Sequence, residues 1–193
     1  MSGVESRSRP FALVVLFLLG LLDTWPVRAD PPAEPEGYRL SDYRSPVPST
    51  LKGARVVDTA GAHALWSSGA AIFVDVLPQA PRPADLPAGT IWRDKPRADI
   101  PRSLWLPDTG YGMLHPSMEA YFRAGLERAS HGDKAAAFVF YCLADCWQSW
   151  NAAKRALSLG YAGVIWYPDG TNGWEAAGFP LEPRQPEPRP SLN

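Results

Sequence analysis

Apolar residues fall into short continuous runs that alternate with longer stretches in which they recur every three or four positions. The runs are residues 71–77 (AIFVDVL), 137–141 (AFVFY) and 162–167 (AGVIWY). They are short, rich in β-branched and aromatic residues, and stopped by Pro, Cys or a Pro-Asp-Gly turn, which predicts buried strands. Residues 55–57 and 103–106 (SLWL) are shorter strand candidates. Asp58 or Thr59 caps a helix running through Trp66 and stopped by Ser67-Ser68-Gly69. Ser117, after Pro116, caps a second helix to about Ser130. Met118, Tyr121, Phe122, Gly125, Leu126 and Ala129 lie on one of its faces. A third helix runs from about Trp147 to Leu159 and ends at Gly160, where a left-handed cap is wanted. Apolar runs alternating with helices predict an α/β fold with a central, mostly parallel sheet flanked by helices. Ligands of such sheets sit beyond the carboxyl ends of the strands.

The ends of the chain read differently. Arg7 and Arg9 precede a 12-residue apolar run at 11–22, and Val27-Arg28-Ala29 offers compact residues before a cut. This is the pattern of a signal peptide over residues 1–29, cleaved near Ala29. The run is short of the roughly 20 residues a spanning helix needs, so no stable membrane span is expected after cleavage. The expected compartment is exported and permits disulfides, a bacterial periplasm being the simplest case. Residues 30–37 (DPPAEPEG) read as a Pro-rich linker. Residues 180–193 (PLEPRQPEPRPSLN) read as a disordered Pro-rich tail. One domain over 38–179 remains. A formal net charge of -1 gives no reason to expect nucleic acid as a partner. Trp150 and Trp166 are expected in the core, while Trp92 lies in the long connection over 78–103 and Trp105 in the short run that follows it.

The chain has two cysteines, Cys142 and Cys146. Cys142 stands where the predicted strand 137–141 ends and Cys146 stands just before a helix. Unpaired N–H groups and the positive end of the helix dipole favour a thiolate there. Asp145, between the two, acts the other way. The spacing also allows a small structural disulfide, which stabilises little because its loop is short. Redox or sulfur-transfer chemistry is the leading reading of the pair, a structural disulfide the second and metal binding the third. Two cysteines are too few for a closed zinc site, and His63, His115 and His131 show no ligand spacing, so no metal is expected.

The order of these features resembles the rhodanese-like domain. The residues that carry the resemblance are Phe140-Tyr141-Cys142, the helix through Asn151-Ala152-Ala153, Leu159-Gly160-Tyr161, Val164-Ile165-Trp166-Tyr167, and Asp169-Gly170 leading to Gly173-Trp174. Val74-Asp75-Val76 resembles the family's Asp-Val-Arg step without its Arg. Residues 100–107 are loosely similar to its Ile-Pro segment. More narrowly, Cys142-Leu-Ala-Asp-Cys146-Trp147 looks like an exported family with a two-cysteine-Trp motif, associated with alcohol oxidation dependent on pyrroloquinoline quinone (PQQ). The resemblance implies a single rhodanese-like domain with Cys142 and Cys146 as the catalytic pair. Leu143, Ala144, Asp145, Trp147 and Gln148 would form the substrate-binding loop. PQQ enters only by pathway association, and the implied partner is a periplasmic PQQ-dependent alcohol dehydrogenase system or its cytochrome. Trp147 stands near where an active rhodanese loop carries a cation, and is a candidate pocket wall. Arg93, Lys95, Arg97 and Arg102 are candidates to supply that cation; a solvated face is their other reading.

Overall fold

The computed structural model describes residues 30–189 except Trp92, Asp94 and Lys95. The expected signal peptide and its cleavage site, Trp92, Lys95 and residues 190–193 lie outside the described residues. Five strands form one sheet: β1 (Arg55–Val56), β2 (Ile72–Asp75), β4 (Leu104–Trp105), β5 (Ala137–Tyr141) and β6 (Gly163–Trp166). Their order is β1-β6-β5-β2-β4, and every neighbouring pair is parallel. The fold is therefore α/β with a central parallel sheet, as the alternation of runs and helices predicts.

Strand β5 lies at the centre, and its side chains alternate between two cores. Phe138 and Phe140 face a cluster with Phe122, Leu126, Trp150 and Trp166, under the helices α2 (Pro116–Ser130) and α3 (Trp147–Ser158). Val139 and Tyr141 face the other cluster, with Phe73, Ile165, Tyr167 and Trp174. That side is covered by α1 (Thr59–Ser68) and α4 (Gly170–Ala176). A strand covered on both faces needs apolar residues at every position, which is why AFVFY has no polar alternation.

The helix ends follow local chemistry. Asp58 accepts from the Gly61 amide at 2.8 Å and caps α1, which runs two residues beyond Trp66 to Ser68. Helix α2 starts one residue earlier than predicted. Pro116 takes the first position, where its missing N–H costs nothing, and His115 is the cap instead of Ser117. Helix α3 ends at Ser158, and Gly160 has the expected left-handed backbone with φ 84°.

One segment differs from expectation, and a second has a shape the sequence does not predict. The tail is not without structure over its described part. β7 (Glu182–Arg184) pairs antiparallel with β3 (Arg97–Asp99), a strand inside the long connection. Proline is tolerated in a two-stranded ribbon because both strands are edges. Beyond β7 the Glu187 amide donates to the Trp105 carbonyl at 2.9 Å, and the Tyr121 hydroxyl donates to the Glu187 carbonyl at 2.8 Å. The second segment is 38–50, which has no regular structure and runs as a strap across α3. The Arg39 amide donates to Asn151 Oδ1, and Asn151 Nδ2 donates back to the Arg39 carbonyl, both at 2.9 Å.

Gly170 is the first residue of α4, with φ 52°, and a Cβ there would collide with the Cys142 carbonyl oxygen. Gly178 has φ 78° but open space around it. Gly178→Ala should cost about 1 kcal/mol, the conformational term alone. Gly170→Ala should cost clearly more, roughly 2–4 kcal/mol, because the backbone must also move. Denaturant unfolding of both variants checks the order; equal losses would show that the close approach to Cys142 carries no weight.

Candidate functional site

The carboxyl end of β5 leads into the cysteine loop, and four contacts fix that loop. The Cys142 carbonyl accepts from the Thr171 amide at 3.0 Å and from the Thr171 hydroxyl at 3.4 Å. Leu143 pairs with Gly170 across an isolated antiparallel bridge, and the Ala144 amide donates to Asn172 Oδ1 at 2.9 Å. Asp145 turns the chain in the left-handed region with φ 51°, and Cys146 pairs with Arg44 of the strap. Cys142 and Cys146 are joined by a disulfide, with their Cα atoms 6.4 Å apart. Both are buried, at 0% and 1% exposure. Of the states the spacing leaves open, the structure has the disulfide, as a closed and buried bond.

The strap packs along the backbone of Cys146 and the residues that follow it. Cys146 caps α3 with no side-chain hydrogen bond, and the Trp147 amide donates instead to the Tyr43 carbonyl at 2.9 Å. The Trp147 indole Nε1 donates to Ser45 Oγ and the Pro46 carbonyl, each at 3.1 Å. The Arg39 guanidinium lies 5.2 Å above the Trp147 ring. Trp147, the candidate pocket wall, is buried at the start of α3 under the strap. Gln148 is buried, with Oε1 3.4 Å from Cys146 Sγ. Leu143 and Ala144 are half-buried, and Asp145 is exposed. Of the seven residues that the resemblance singles out, Cys142 to Cys146 form the loop and Trp147 and Gln148 open α3.

A polar cluster that the sequence does not announce lies directly behind the loop. Asp75, at the end of β2, is in register with Tyr141, at the end of β5. Arg97 Nε donates to Asp75 Oδ2 at 2.7 Å and Arg97 Nη2 donates to Thr171 Oγ1 at 3.0 Å. The Leu77 amide donates to Asp75 Oδ1 at 2.8 Å. The Tyr141 hydroxyl donates to Asp99, and the Ser103 hydroxyl lies 2.6 Å from it. Asp99 Oδ1 also accepts from the Ile100 amide at 2.8 Å, while Oδ2 is buried with no partner.

These partners sort the two acids. Burial, and then the charge of Asp75, push the Asp99 carboxyl up to about 8. Burial also raises Asp75, against the opposing Arg97 guanidinium and the amides of Leu77 and Val76. Asp75 is paired with the Arg97 guanidinium, while Asp99, with Oδ2 unpartnered, is the acid that burial shifts toward its protonated form. Burial and the nearby acids also raise the Tyr141 hydroxyl well above the ordinary phenol range.

The cation candidates are mostly engaged elsewhere. Arg97 is turned inward to Asp75, with its side chain 13% exposed. Arg102 Nη2 donates to the Trp66 carbonyl at 2.6 Å, and its guanidinium lies over that indole. Arg93 is exposed. On α3, Arg155 donates to the carbonyls of Thr109, Tyr111 and Gly112, and Lys154 to that of Pro35. Among the described residues, no three His, Cys, Asp or Glu side chains gather as a metal site. No helix among them is long and apolar enough to cross a membrane.

No protein-family model and no curated protein matches the chain. Among solved structures, one similar chain is a Rhodopseudomonas palustris protein of unknown function described as a possible tyrosine phosphatase. It has a TM-score of 0.45 and 25% identity, over 67% of this chain and 85% of its own. An uncharacterized Saccharomyces cerevisiae protein gives 0.39 and 21% over 65% and 93%. The 30 kDa polysulfide-sulfur transferase homodimer from Wolinella succinogenes gives 0.41 and 16% over 69% and 81%. These are partial likenesses of backbone path.

Because Asp99 binds its proton more tightly folded than unfolded, its contribution favours folding most below the ordinary carboxylate range. That contribution fades as pH rises through about 8. Asp99→Asn keeps the acceptor for Tyr141 and Ile100 and removes the titration. Its unfolding midpoint should therefore fall less than that of the parent chain between about pH 6 and about pH 9. Identical slopes in the two proteins would show that Asp99 does not carry the buried proton.

Proposed function

We propose that this chain is an exported rhodanese-like protein whose Cys142–Cys146 pair cycles between disulfide and dithiol in the service of PQQ-dependent alcohol oxidation. The observation that supports it is position. The two cysteines of the chain are bonded to each other between the carboxyl end of the central strand and the start of α3. That is where open parallel sheets gather ligand chemistry. A disulfide placed only for stability gains little from so short a loop. The rhodanese-like identity draws further on the residues from Phe140 to Trp174. Export and the pathway draw on the N-terminal sequence pattern and the two-cysteine-Trp motif.

In the cycle, a donor thiolate attacks one sulfur, the Cys142–Cys146 bond breaks, and the other sulfur leaves as a thiolate that takes up a proton. A second donor thiol resolves the mixed disulfide. The donor ends as a disulfide and this chain as a dithiol, a transfer of two electrons and two protons. Once reduced, Cys142 is able to take the outer sulfur of a persulfide donor, whose thiolate leaves; attack of the Cys146 thiolate on the Cys142 sulfur then re-forms the disulfide and releases hydrosulfide, which returns the pair to its oxidised state. The partner in this reading is the periplasmic alcohol dehydrogenase system or its cytochrome, and PQQ belongs to that system.

Burial of both sulfurs favours a second reading. The domain would be a non-catalytic binding or maturation module for the dehydrogenase, with the disulfide as a local clamp. Growth on alcohol separates the two. If the pair cycles, Cys142→Ser and Cys146→Ser each abolish the contribution of this protein to growth. In the same reading, Cys146→Ser accumulates a mixed disulfide on Cys142, visible by mass. Full growth with Cys142→Ser would leave only the module reading.

A further inference from the structure

We infer that the strap over the cysteine loop is a redox-linked lid. Reduction of the Cys142–Cys146 bond frees residues 38–47 from α3, and freeing them opens the sulfurs to a donor. This rests on the thiol–disulfide reading above and names the control of that same site.

The first consideration is access. Thiol–disulfide exchange needs a thiolate to reach a sulfur, so a covered disulfide reacts only when its cover moves. Most of the surroundings of the pair are core. Phe140, Trp150 and Trp166 belong to the same buried cluster as both cysteines. Elements of that kind open only with the domain. The strap is different: it has no regular structure, and Leu40, Ser41, Asp42 and Arg44 are exposed along it. Low-stability segments of this type open locally without global unfolding.

The second consideration is how the strap is fastened. Its attachments converge on the residues just after the disulfide. Arg44 bridges Cys146 itself, Tyr43, Ser45 and Pro46 hold Trp147, and Arg39 holds Asn151 one turn further on. The bond to Cys142 fixes where Cys146 sits and closes the turn at Asp145, which has φ 51°. Asp is tolerated there but not preferred. Breaking the bond releases that turn, and with it the backbone of Cys146 that Arg44 pairs with. On the far side Pro48 and Leu51 are buried, and Trp150 Nε1 donates to the Thr50 carbonyl at 3.1 Å, so the strap keeps a hinge. Coupling of this kind is reciprocal: what loosens the strap also eases reduction.

The test uses the full chain and dithiothreitol, a dithiol that supplies two electrons and two protons and ends as a cyclic disulfide. Hydrogen exchange is read by mass spectrometry before and after reduction, with the thiols counted by alkylation. The amides of Arg39 and Trp147 should exchange at least roughly tenfold faster in the reduced protein, with β5 and β6 unchanged. Arg39→Ala removes the contact with the Trp147 ring and the bonds to Ser41 and Asp42 without touching a cysteine. It should speed reduction at least roughly threefold. A disulfide that opens while the strap amides stay protected overturns the lid alone. Loss of protection in β5 and β6 together with the strap, or an unchanged rate in Arg39→Ala, does the same. A disulfide that dithiothreitol does not open in the folded chain overturns both the lid and the cycle beneath it.

Discussion

A relay of hydrogen bonds from Asp75 to Cys142 holds the loop on which the rest depends. Asp75 accepts from Arg97, Arg97 donates to the Thr171 hydroxyl, and that hydroxyl with its amide holds the Cys142 carbonyl. The relay joins the end of β2, the ribbon strand β3, the start of α4 and the end of β5. Charge-assisted bonds are the stronger members of such chains, and here the ion pair is buried at its acidic end. Removing either partner would leave an uncompensated charge in the interior. The loop therefore sits on a rigid base, while its outer face is covered by a segment held by individual bonds.

That contrast gives the site its character. The sheet delivers Cys142 to the carboxyl edge because Phe138 and Phe140 must enter one core and Val139 and Tyr141 the other, which leaves no freedom in register. Tyr141 in turn meets Asp99 on the side away from α3. The cysteine pair is thus set between a fixed polar base and a loosely fastened cover. Helix α3 reinforces the same division, since Arg155 spends its donors on the carbonyls of Thr109, Tyr111 and Gly112 and faces no sulfur.

Much of the frame is legible in the chain itself. The runs at 71–77, 137–141 and 162–167 contain β2, β5 and β6, because doubly covered strands have an unbroken apolar signature. The helices follow their caps to within two residues. The strap, the ribbon β3–β7 and α4 are not legible, each for a physical reason. The strap takes its shape from bonds to Asn151 and Trp147 across more than a hundred positions. The ribbon is built around Pro183, which in local terms argues against a strand. Helix α4 begins Gly-Thr-Asn-Gly, a turn composition overridden by burial of Trp174. Arg97 reads in sequence as part of a solvated face or as a candidate cation for the site. Asp75, 22 positions away, and Thr171, 74 positions away, turn it into a support instead. The cysteine pair itself is legible as a pair; its burial is not.

The central claim is that the Cys142–Cys146 bond is made to open and close. Its reduction potential, measured by equilibrating the full chain with glutathione or dithiothreitol buffers and counting alkylated thiols, tests that most directly. A cycling pair lies above about −300 mV and equilibrates reversibly, with both thiols appearing together. A value below that range, where structural disulfides of exported proteins lie, would contradict the account.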